Sequence, residues 1–386
     1  MPIWFFPAVR RGPGFEYQML RSFYLPAVLA ACGLTAAAEP HWEIQYRYRQ
    51  VDSILTINDI AFPSATHGFA CGLTTDRREA DHPLVLVTID GGKKWSEVPV
   101  KETGLSLFFL DESNGWMVTE KGIWQTVEGG RSWTRLPKGP GGMSQVWFLS
   151  KTHGFAAGTQ KRVFETNDGG LSWTLLPILA EVPSDPEITE FGRISFSGQH
   201  GIISGWAVPK RRGGPDWMEP ERAEQRREVP TYTVMLQTVD GGKTWKKSDA
   251  STFGQATHIA LTAQGSGLGL MEFRDEFDYP SEVYRINAHS GDSQLAYRTK
   301  DRAITDVHLF DGSNTALLAG YETLGKIYHS PVPGKLKVLT SEDSENWTEM
   351  PVDYRAVAHR AMIAGPDPEH VWIATDTGLI LNLVVQ

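Results

Sequence analysis

Cysteine is almost absent from this chain of 386 residues, which holds only Cys32 and Cys71. A disulfide framework and a zinc site built on thiolates are therefore excluded, and stability must come from packing and topology. The N-terminal apolar stretch, Phe23-Tyr-Leu-Pro-Ala-Val-Leu-Ala-Ala31, is far shorter than the roughly 20 residues of a membrane-spanning helix. Positive charge is also short: 37 Lys and Arg stand against 46 Asp and Glu, a net charge of −9. That balance argues against a nucleic-acid partner, because phosphate contacts need a basic surface. No His-Glu-x-x-His and no Asp-x-Asp-x-Asp-Gly loop occurs, so neither familiar route to a metal site is present, and no cofactor is expected.

The first forty residues read as targeting sequence. Arg21 and Ser22 precede the apolar stretch as an n-region precedes an h-region. Two exits follow. Leu29-Ala-Ala-Cys32 has the form of a bacterial lipobox, in which Cys32 would become the acylated first residue. Ala36-Ala-Ala38 before Glu39 fits ordinary small-residue cleavage instead. Met19 is a second candidate start, and a buried N-terminal helix is the alternative to a leader. Either exit predicts an extracytoplasmic protein, periplasmic or secreted, with a lipid anchor if Cys32 is acylated.

What the chain has in plenty is tryptophan and glycine, 13 and 38 residues, and one pattern gathers both. Thr88-Ile-Asp90-Gly91-Gly92-Lys-Lys-Trp95 recurs as Thr126-Val-Glu128-Gly129-Gly130-Arg-Ser-Trp133. It returns as Thr166-Asn-Asp168-Gly169-Gly170-Leu-Ser-Trp173 and Thr238-Val-Asp240-Gly241-Gly242-Lys-Thr-Trp245. A weaker copy, Thr340-Ser-Glu342-Asp343-Ser344-Glu-Asn-Trp347, has lost both glycines. The chemistry is that of a hairpin tip: Gly supplies φ > 0, and the acid and hydroxyl bond free backbone groups of the turn. Trp then opens the next strand with a large apolar plate.

Upstream of the boxes lies a second repeat, two apolar strands joined by a turn ending in Gly. Ile60-Ala-Phe62 leads to Gly68-Phe-Ala-Cys71, and Leu107-Phe-Phe109 to Gly115-Trp-Met-Val118. Val146-Trp-Phe148 leads to Gly154-Phe-Ala-Ala157, and Ile194-Ser-Phe196 to Gly201-Ile-Ile203. Each unit is then four strands, A to D, with the box at the C–D turn: a propeller blade. The box tryptophans are spaced by 38, 40, 72 and 102 residues. The third gap is one blade swollen by a polar insertion at about 207–230. The fourth holds two blades, the first with its box eroded to Asn287-Ala-His-Ser-Gly291. The last blade, 361–385, has three strands, and Trp42-Glu-Ile-Gln-Tyr-Arg-Tyr48 reads as its missing fourth. The expectation is an all-β, seven-bladed propeller of four-stranded antiparallel blades over 41–386, closed by the N-terminal strand.

The boxes resemble the BNR/Asp-box repeats of sialidases and sortilin-type receptors. Combined with strands such as Gly154-Phe-Ala-Ala-Gly158, they most resemble the photosystem II stability/assembly factor family. The resemblance covers roughly 41–386 and implies a non-catalytic propeller that binds a protein partner as an assembly or stability scaffold. A monomer is expected, with a membrane complex among the candidate partners. That family works in the thylakoid lumen, yet nothing in this sequence itself ties the chain to photosynthesis.

A glycan hydrolase of the sialidase/BNR type is the alternative. It needs two carboxylates at a defined separation, or three arginines with a Tyr nucleophile. Candidate acids lie in Glu272-Phe-Arg274-Asp275-Glu276-Phe-Asp278-Tyr279, and the arginines are Arg77, Arg211 and Arg274. No Phe-Arg-Ile-Pro motif is present; Gly192-Arg193-Ile194-Ser195 comes nearest. The box acids Asp90, Glu128, Asp168 and Asp240 recur at the same place in successive blades, which marks them as turn caps, since an active site needs one unequal constellation. His67, His153 and His200 each precede an A–B turn glycine, whole blades apart, and make a poor metal cluster.

Loop lengths point to a binding face. From the turn Gly to the box Trp there are 18 and 19 residues in blades 2 and 3, but 27 in blade 1 and 44 in blade 4. If strands vary little, the B–C loops expand, together with Phe273–Glu282 and Thr323–Lys335, all opposite the boxes. The longest insertion carries Lys210, Arg211, Arg212, Arg222, Arg226 and Arg227 around Trp217. Arg and Trp anchor interfaces more often than most side chains. The expected binding residues are therefore Arg77, Arg78, Lys210, Arg211, Arg212, Trp217, Arg226, Arg227, Arg274 and Tyr279.

Overall fold

A computed structural model describes residues 40–207, 230–273, 279–323, 334–353 and 355–385. The first strand, β1 (His41–Arg47), is followed by blade 1: β2 (Ser53–Ala61), β3 (Gly68–Asp76), β4 (Asp81–Thr88) and β5 (Ser96–Pro99). Blade 2 is β6 (Gly104–Phe109), β7 (Gly115–Thr119), β8 (Gly122–Thr126) and β9 (Thr134–Arg135). Blade 3 is β10 (Met143–Phe148), β11 (Gly154–Gly158), β12 (Arg162–Thr166) and β13 (Thr174–Leu175). Blade 4 is β14 (Thr189–Ser197), β15 (His200–Ala207), β16 (Thr231–Thr238) and β17 (Lys246–Thr252). Blade 5 is β18 (Gln255–Leu261), β19 (Ser266–Glu272), β20 (Ser281–Asn287) and β21 (Ser293–Arg298). Blade 6 is β22 (Arg302–Leu309), β23 (Ala316–Glu322), β24 (Leu336–Ser341) and β25 (Thr348–Met350). Blade 7 is β26 (Ala361–Asp367), β27 (His370–Thr375) and β28 (Leu379–Val384), and β1 completes it.

Every blade is a four-stranded antiparallel sheet, and the ring is closed as expected. His41 pairs with Val384 and Trp42 with Leu383, so the two terminal strands cover each other's edge. Burial falls from the second strand outward: β7 and β11 are buried at every residue, whereas β9 and β13 are exposed. Among the described residues no helix is long and apolar enough to cross a membrane.

Blades are joined by ring on ring. The residue after the turn glycine stacks on the Phe that ends strand A of the next blade. Phe69 lies on Phe109 at 3.6 Å, Trp116 on Phe148 at 3.6 Å, and Phe155 on Phe196 at 5.3 Å. The box Trp then meets that same Phe edge-on, as Trp133 meets Phe109 and Trp173 meets Phe148. Thr88, Thr126, Thr166 and Thr238 are buried, and each hydroxyl accepts the N–H of the second box glycine at 2.8–3.0 Å. Asp90, Asp168 and Asp240 cap the backbone four residues on, and Glu128 takes the hydroxyl of Ser132. The first glycine docks the tip on the A–B turn of its own blade, Gly91 N donating to Thr66 O at 2.8 Å. All eight box glycines have φ between 61° and 94°, where a Cβ would be strained.

Three expectations need correction. In blade 6 the box is set one residue later than Thr340 and Glu342: Ser341 bonds Asp343, which caps Glu345 and Asn346, and Ser344 takes φ 56° where glycine stood. In blade 1 the extra residues lengthen strands rather than a loop. β3 and β4 have nine and eight residues, against five and five in blade 2, leaving a tip of only Arg77–Ala80. In blade 5 the connection is Phe273–Pro280, since β20 already includes Ser281 and Glu282.

Candidate functional site

Strand A of blades 1 to 6 carries a one-residue bulge, at Asn58, Leu105, Ser144, Gly192, Thr257 and Thr305. A bulge re-aims the side chains beside it. The residue after each bulge is polar in all six blades: Asp59, Ser106, Gln145, Arg193, His258 and Asp306. Most of them bridge to the next blade. Asp59 Oδ2 accepts from Ser106 Oγ at 2.9 Å and from Leu107 N at 2.8 Å. Gln145 Oε1 accepts from Ile194 N at 2.7 Å, and Asp306 Oδ2 from Ile363 N at 2.6 Å. Arg193 Nε donates to the carbonyl of Thr257.

Two of them, Arg193 and His258, line the central channel, where a cavity of about 630 Å³ is also bounded by Glu120, Glu190, Trp206, Glu272 and Arg360. Its walls are starts of A strands and ends of B strands. Its mouth therefore lies on the face carrying the B–C connections, opposite the boxes. The guanidinium groups of Arg193 and Arg360 share this lining with three carboxyl groups, Glu120, Glu190 and Glu272, and the imidazole of His258. Burial pushes the Asp306 carboxyl up to about 7, even though the N–H of Ile363 and the charges of Arg193 and Arg360 pull it down. Burial likewise raises Glu272 and holds His258 well below its ordinary value, with Arg193 and Arg360 adding to the effect on the imidazole. His258 Nε2 sits 3.8 Å from Asp306 Oδ1, and its Nδ1 is buried with no partner among the described residues. With the imidazole held neutral, this contact is a weak polar one and not a full ion pair.

The residues expected at a binding face are distributed differently. Arg77 and Arg78 stand at the tip of the β3–β4 hairpin, Arg77 paired with Asp52 and Arg78 held through its backbone to Asp76. Tyr279 lies under Arg298 and Lys300, whose charges sit 4.7 and 5.3 Å from its ring centre. None of the three lines the channel. Cys32, Lys210, Arg211, Arg212, Trp217, Arg222, Arg226, Arg227 and Arg274 lie outside the described residues. The segments that join B to C in blades 4 to 6 start from Ala207, Glu272 and Glu322, all at the mouth side of their blades.

The turn histidines do not cluster with one another. His67 pairs with Glu112, His153 with Glu165, and His200 with His289 of blade 5, Nε2 to Nε2 at 2.9 Å. Among the described residues no three metal-binding side chains come together. Cys71 is buried, and burial pushes its thiol well up. The sequence reading passed over Asp59, His258, Asp306 and Arg360. The signal available was a polar residue interrupting an apolar A strand at the same place in six blades.

A model of the photosynthesis system II assembly factor YCF48 family matches residues 140–218. The solved structure of YCF48 bound to D1 peptide matches with TM-score 0.57 and 17% identity, over 89% of this chain and 97% of that one. YCF48 from Cyanidioschyzon merolae gives 0.55 and 17%, over 89% and 98%. An ancestral GH74 enzyme gives 0.55 and 12%, over 89% of this chain and 46% of that one. A comparison with the curated proteins gives no significant match. The chain is thus a seven-bladed propeller resembling the YCF48 family, and at these identities the structural likenesses bear on fold alone.

Proposed function

We propose that the protein is a non-catalytic, extracytoplasmic scaffold that captures a segment of a protein partner over the channel mouth. The observation that carries this reading is the meeting of three features on one face. The charged channel opens there, the β3–β4 hairpin presents Arg77 and Arg78 there, and the B–C connections of blades 4 to 6 leave the sheets there. Loops on a rigid scaffold are where binding concentrates. The likeness to a YCF48 solved with a bound peptide supports a polypeptide as the occupant. The leader-like N-terminus supports a place outside the cytoplasm.

Replacing 210–228 with a short Gly-Ser turn should leave the melting temperature unchanged and abolish capture of the partner from solubilised membranes. Capture that survives this swap and is lost on charge reversal across the box face would put the site on the wrong side of the disc.

A second reading, glycan hydrolysis, is favoured by Glu120, Glu190 and Glu272 sharing the channel, with Glu272 raised as a general acid would be. Turnover of an oligosaccharide that disappears in Glu272→Gln would establish it. A partner that binds Glu272→Gln normally, with no turnover by either form, supports the scaffold.

A further inference from the structure

Six of the seven blade junctions hold a tryptophan from the C–D turn or its equivalent. Trp133, Trp173, Trp245 and Trp347 fill the junctions 1/2, 2/3, 3/4 and 5/6. Trp95 fills the junction of blades 7 and 1, and Trp42 that of blades 6 and 7. Among the described residues the junction of blades 4 and 5 has none. The register identifies what replaced it. In blade 4, Gly201 faces Thr238 and Lys246 faces Gln237, which places Trp245 just before the D strand. In blade 5, Ser266 faces Asn287 and Ser293 faces Ile286, so the residue in the tryptophan's place is Asp292. The Phe that receives the indole edge is lost too. Phe196 faces Gly201 in blade 4, and its counterpart in blade 5 is Thr262, whose N–H bonds Ser266 O at 2.8 Å.

Losing both rings leaves, among the described residues, a buried cluster of only Ile202, Leu261 and Ala288 at this junction, and beside it a cavity of about 430 Å³. That volume is within the range of small-molecule sites. Its walls are Ile202, Met235, Ile259, Leu270, Met271 and Ile286, and Asp292 and Ser293 stand exposed at its edge. Floor space is real at Gly269: a Cβ built there meets only side-chain carbons of Ile286, at 3.5 and 3.9 Å. By contrast a Cβ at the nearby Gly267 would run into the carbonyl of Ala260 at 2.4 Å. The side chains of Gln237, Ser248 and Asp292, all facing the cavity, have no hydrogen-bond partner among the described residues. A carboxylate accepts and does not donate, so Asp292 suits a donor on the ligand.

We infer that the junction of blades 4 and 5 is a binding cavity for a planar aromatic ring that carries a hydrogen-bond donor, of the indole class. The ligand occupies the place that an indole side chain occupies in the other six junctions, and Asp292 takes its N–H. The cavity runs between the sheets of blades 4 and 5, from Asp292 and Ser293 at the box end to Thr252, Ala256 and Met271 nearer the mouth, and the inference does not depend on the reading of the channel face.

Indole and N-methylindole, titrated against the full chain by calorimetry, test it. Indole should bind saturably and at least about fivefold more tightly than N-methylindole, which lacks the donor. Gly269→Leu, which fills the floor, should weaken indole by about tenfold or more. Asp292→Ala, which removes an exposed side chain and leaves the backbone bonds of the turn in place, should erase the preference between the two compounds. N-acetyltryptophanamide separates sources: binding tighter than indole assigns the ring to a partner's side chain, and weaker binding assigns a free small molecule. Absence of saturable indole binding by the wild type, or affinity unchanged in Gly269→Leu with the fold intact, overturns the inference.

Discussion

Trp372 of blade 7 lies flat on Phe62 of blade 1, ring centres 3.7 Å apart and planes 3° from parallel. This stack seals the last junction of the ring, and Gln45 of the N-terminal strand holds it in place by accepting from Trp372 Nε1 at 2.9 Å. Trp372 is buried, so Trp372→Ala should cost about 3–5 kcal/mol, the usual loss for a large core ring. Removing 41–48 should do more, because it also bares the apolar edge of β28. Urea unfolding of the two variants checks this, and an unchanged midpoint for the deletion would mean that the ring closes without β1.

The blade count and the closing strand were legible because two signals agreed. Alternating apolar residues set the strands, and Thr-x-acid-Gly-Gly turns set where they reverse. Other features were not. A longer hairpin and a longer loop contain the same number of residues, so the 27 between Gly68 and Trp95 could not reveal that β3 and β4 are themselves extended. Asp306 and His258 looked like isolated polar residues in apolar strands until the bulges set them side by side, with His258 on the channel wall. Asp292 was invisible for a further reason. An eroded box shows which residues it has lost, but only the pairing of β20 with β21 shows which residue took the tryptophan's place.

The buried Asp306 should leave a mark on the pH dependence of stability. Its carboxyl titrates near 7 in the folded protein and near 3.8 when unfolded. Between those values the folded state holds a proton that the unfolded state has released, so this group's contribution falls as pH rises from about 4 to about 7. His258 and His308, whose imidazoles burial holds low, the latter at about 4, act in the opposite sense up to about pH 6.5. Comparing wild type with Asp306→Asn isolates the carboxyl, which faces His258 and the charges of Arg193 and Arg360. The variant should gain on the wild type, by on the order of a few kcal/mol, as pH rises through that window. A difference that stays flat from pH 4 to 7 would show that Asp306 is ionised in the fold throughout.

In the boxes the hydroxyl should matter more than the acid to folding. Thr166 is buried and its oxygen accepts from Gly170 N at 2.8 Å, so Thr166→Val strands a buried N–H and should cost about 1–3 kcal/mol. Asp168 is solvated, and Asp168→Asn should cost less. Hydrogen bonds from Ser172 hold the Asp168 carboxyl down at about 2, and from Thr244 the Asp240 carboxyl likewise. Their contribution is therefore present above about pH 4 and lost as pH falls towards 2. Acid unfolding followed by tryptophan fluorescence would show the Asn variants converging on the wild type at low pH. A persistent gap at pH 2 would mean that the acids act through packing and not through charge.

A ring is only as cooperative as its weakest junction, and here that is the junction of blades 4 and 5. The other described junctions set a tryptophan between their sheets, whereas this one relies on Ile202, Leu261 and Ala288 with partly buried Met235, Ile259 and Ile286 around them. Fewer buried apolar contacts mean a lower free energy of local opening. His200 and His289 bridge the same junction at the surface, and an exposed contact of that kind replaces little of the lost burial. Amide exchange in β18 and β19 should therefore be faster than in the matching strands β10 and β11 of blade 3, where Trp245 and the Phe155–Phe196 stack seal the interface. Saturating indole should slow β18 and β19 selectively if it fills the gap. Protection that is uniform around the ring, or lowest instead at the β1–β28 closure, would show that the missing tryptophan has been compensated.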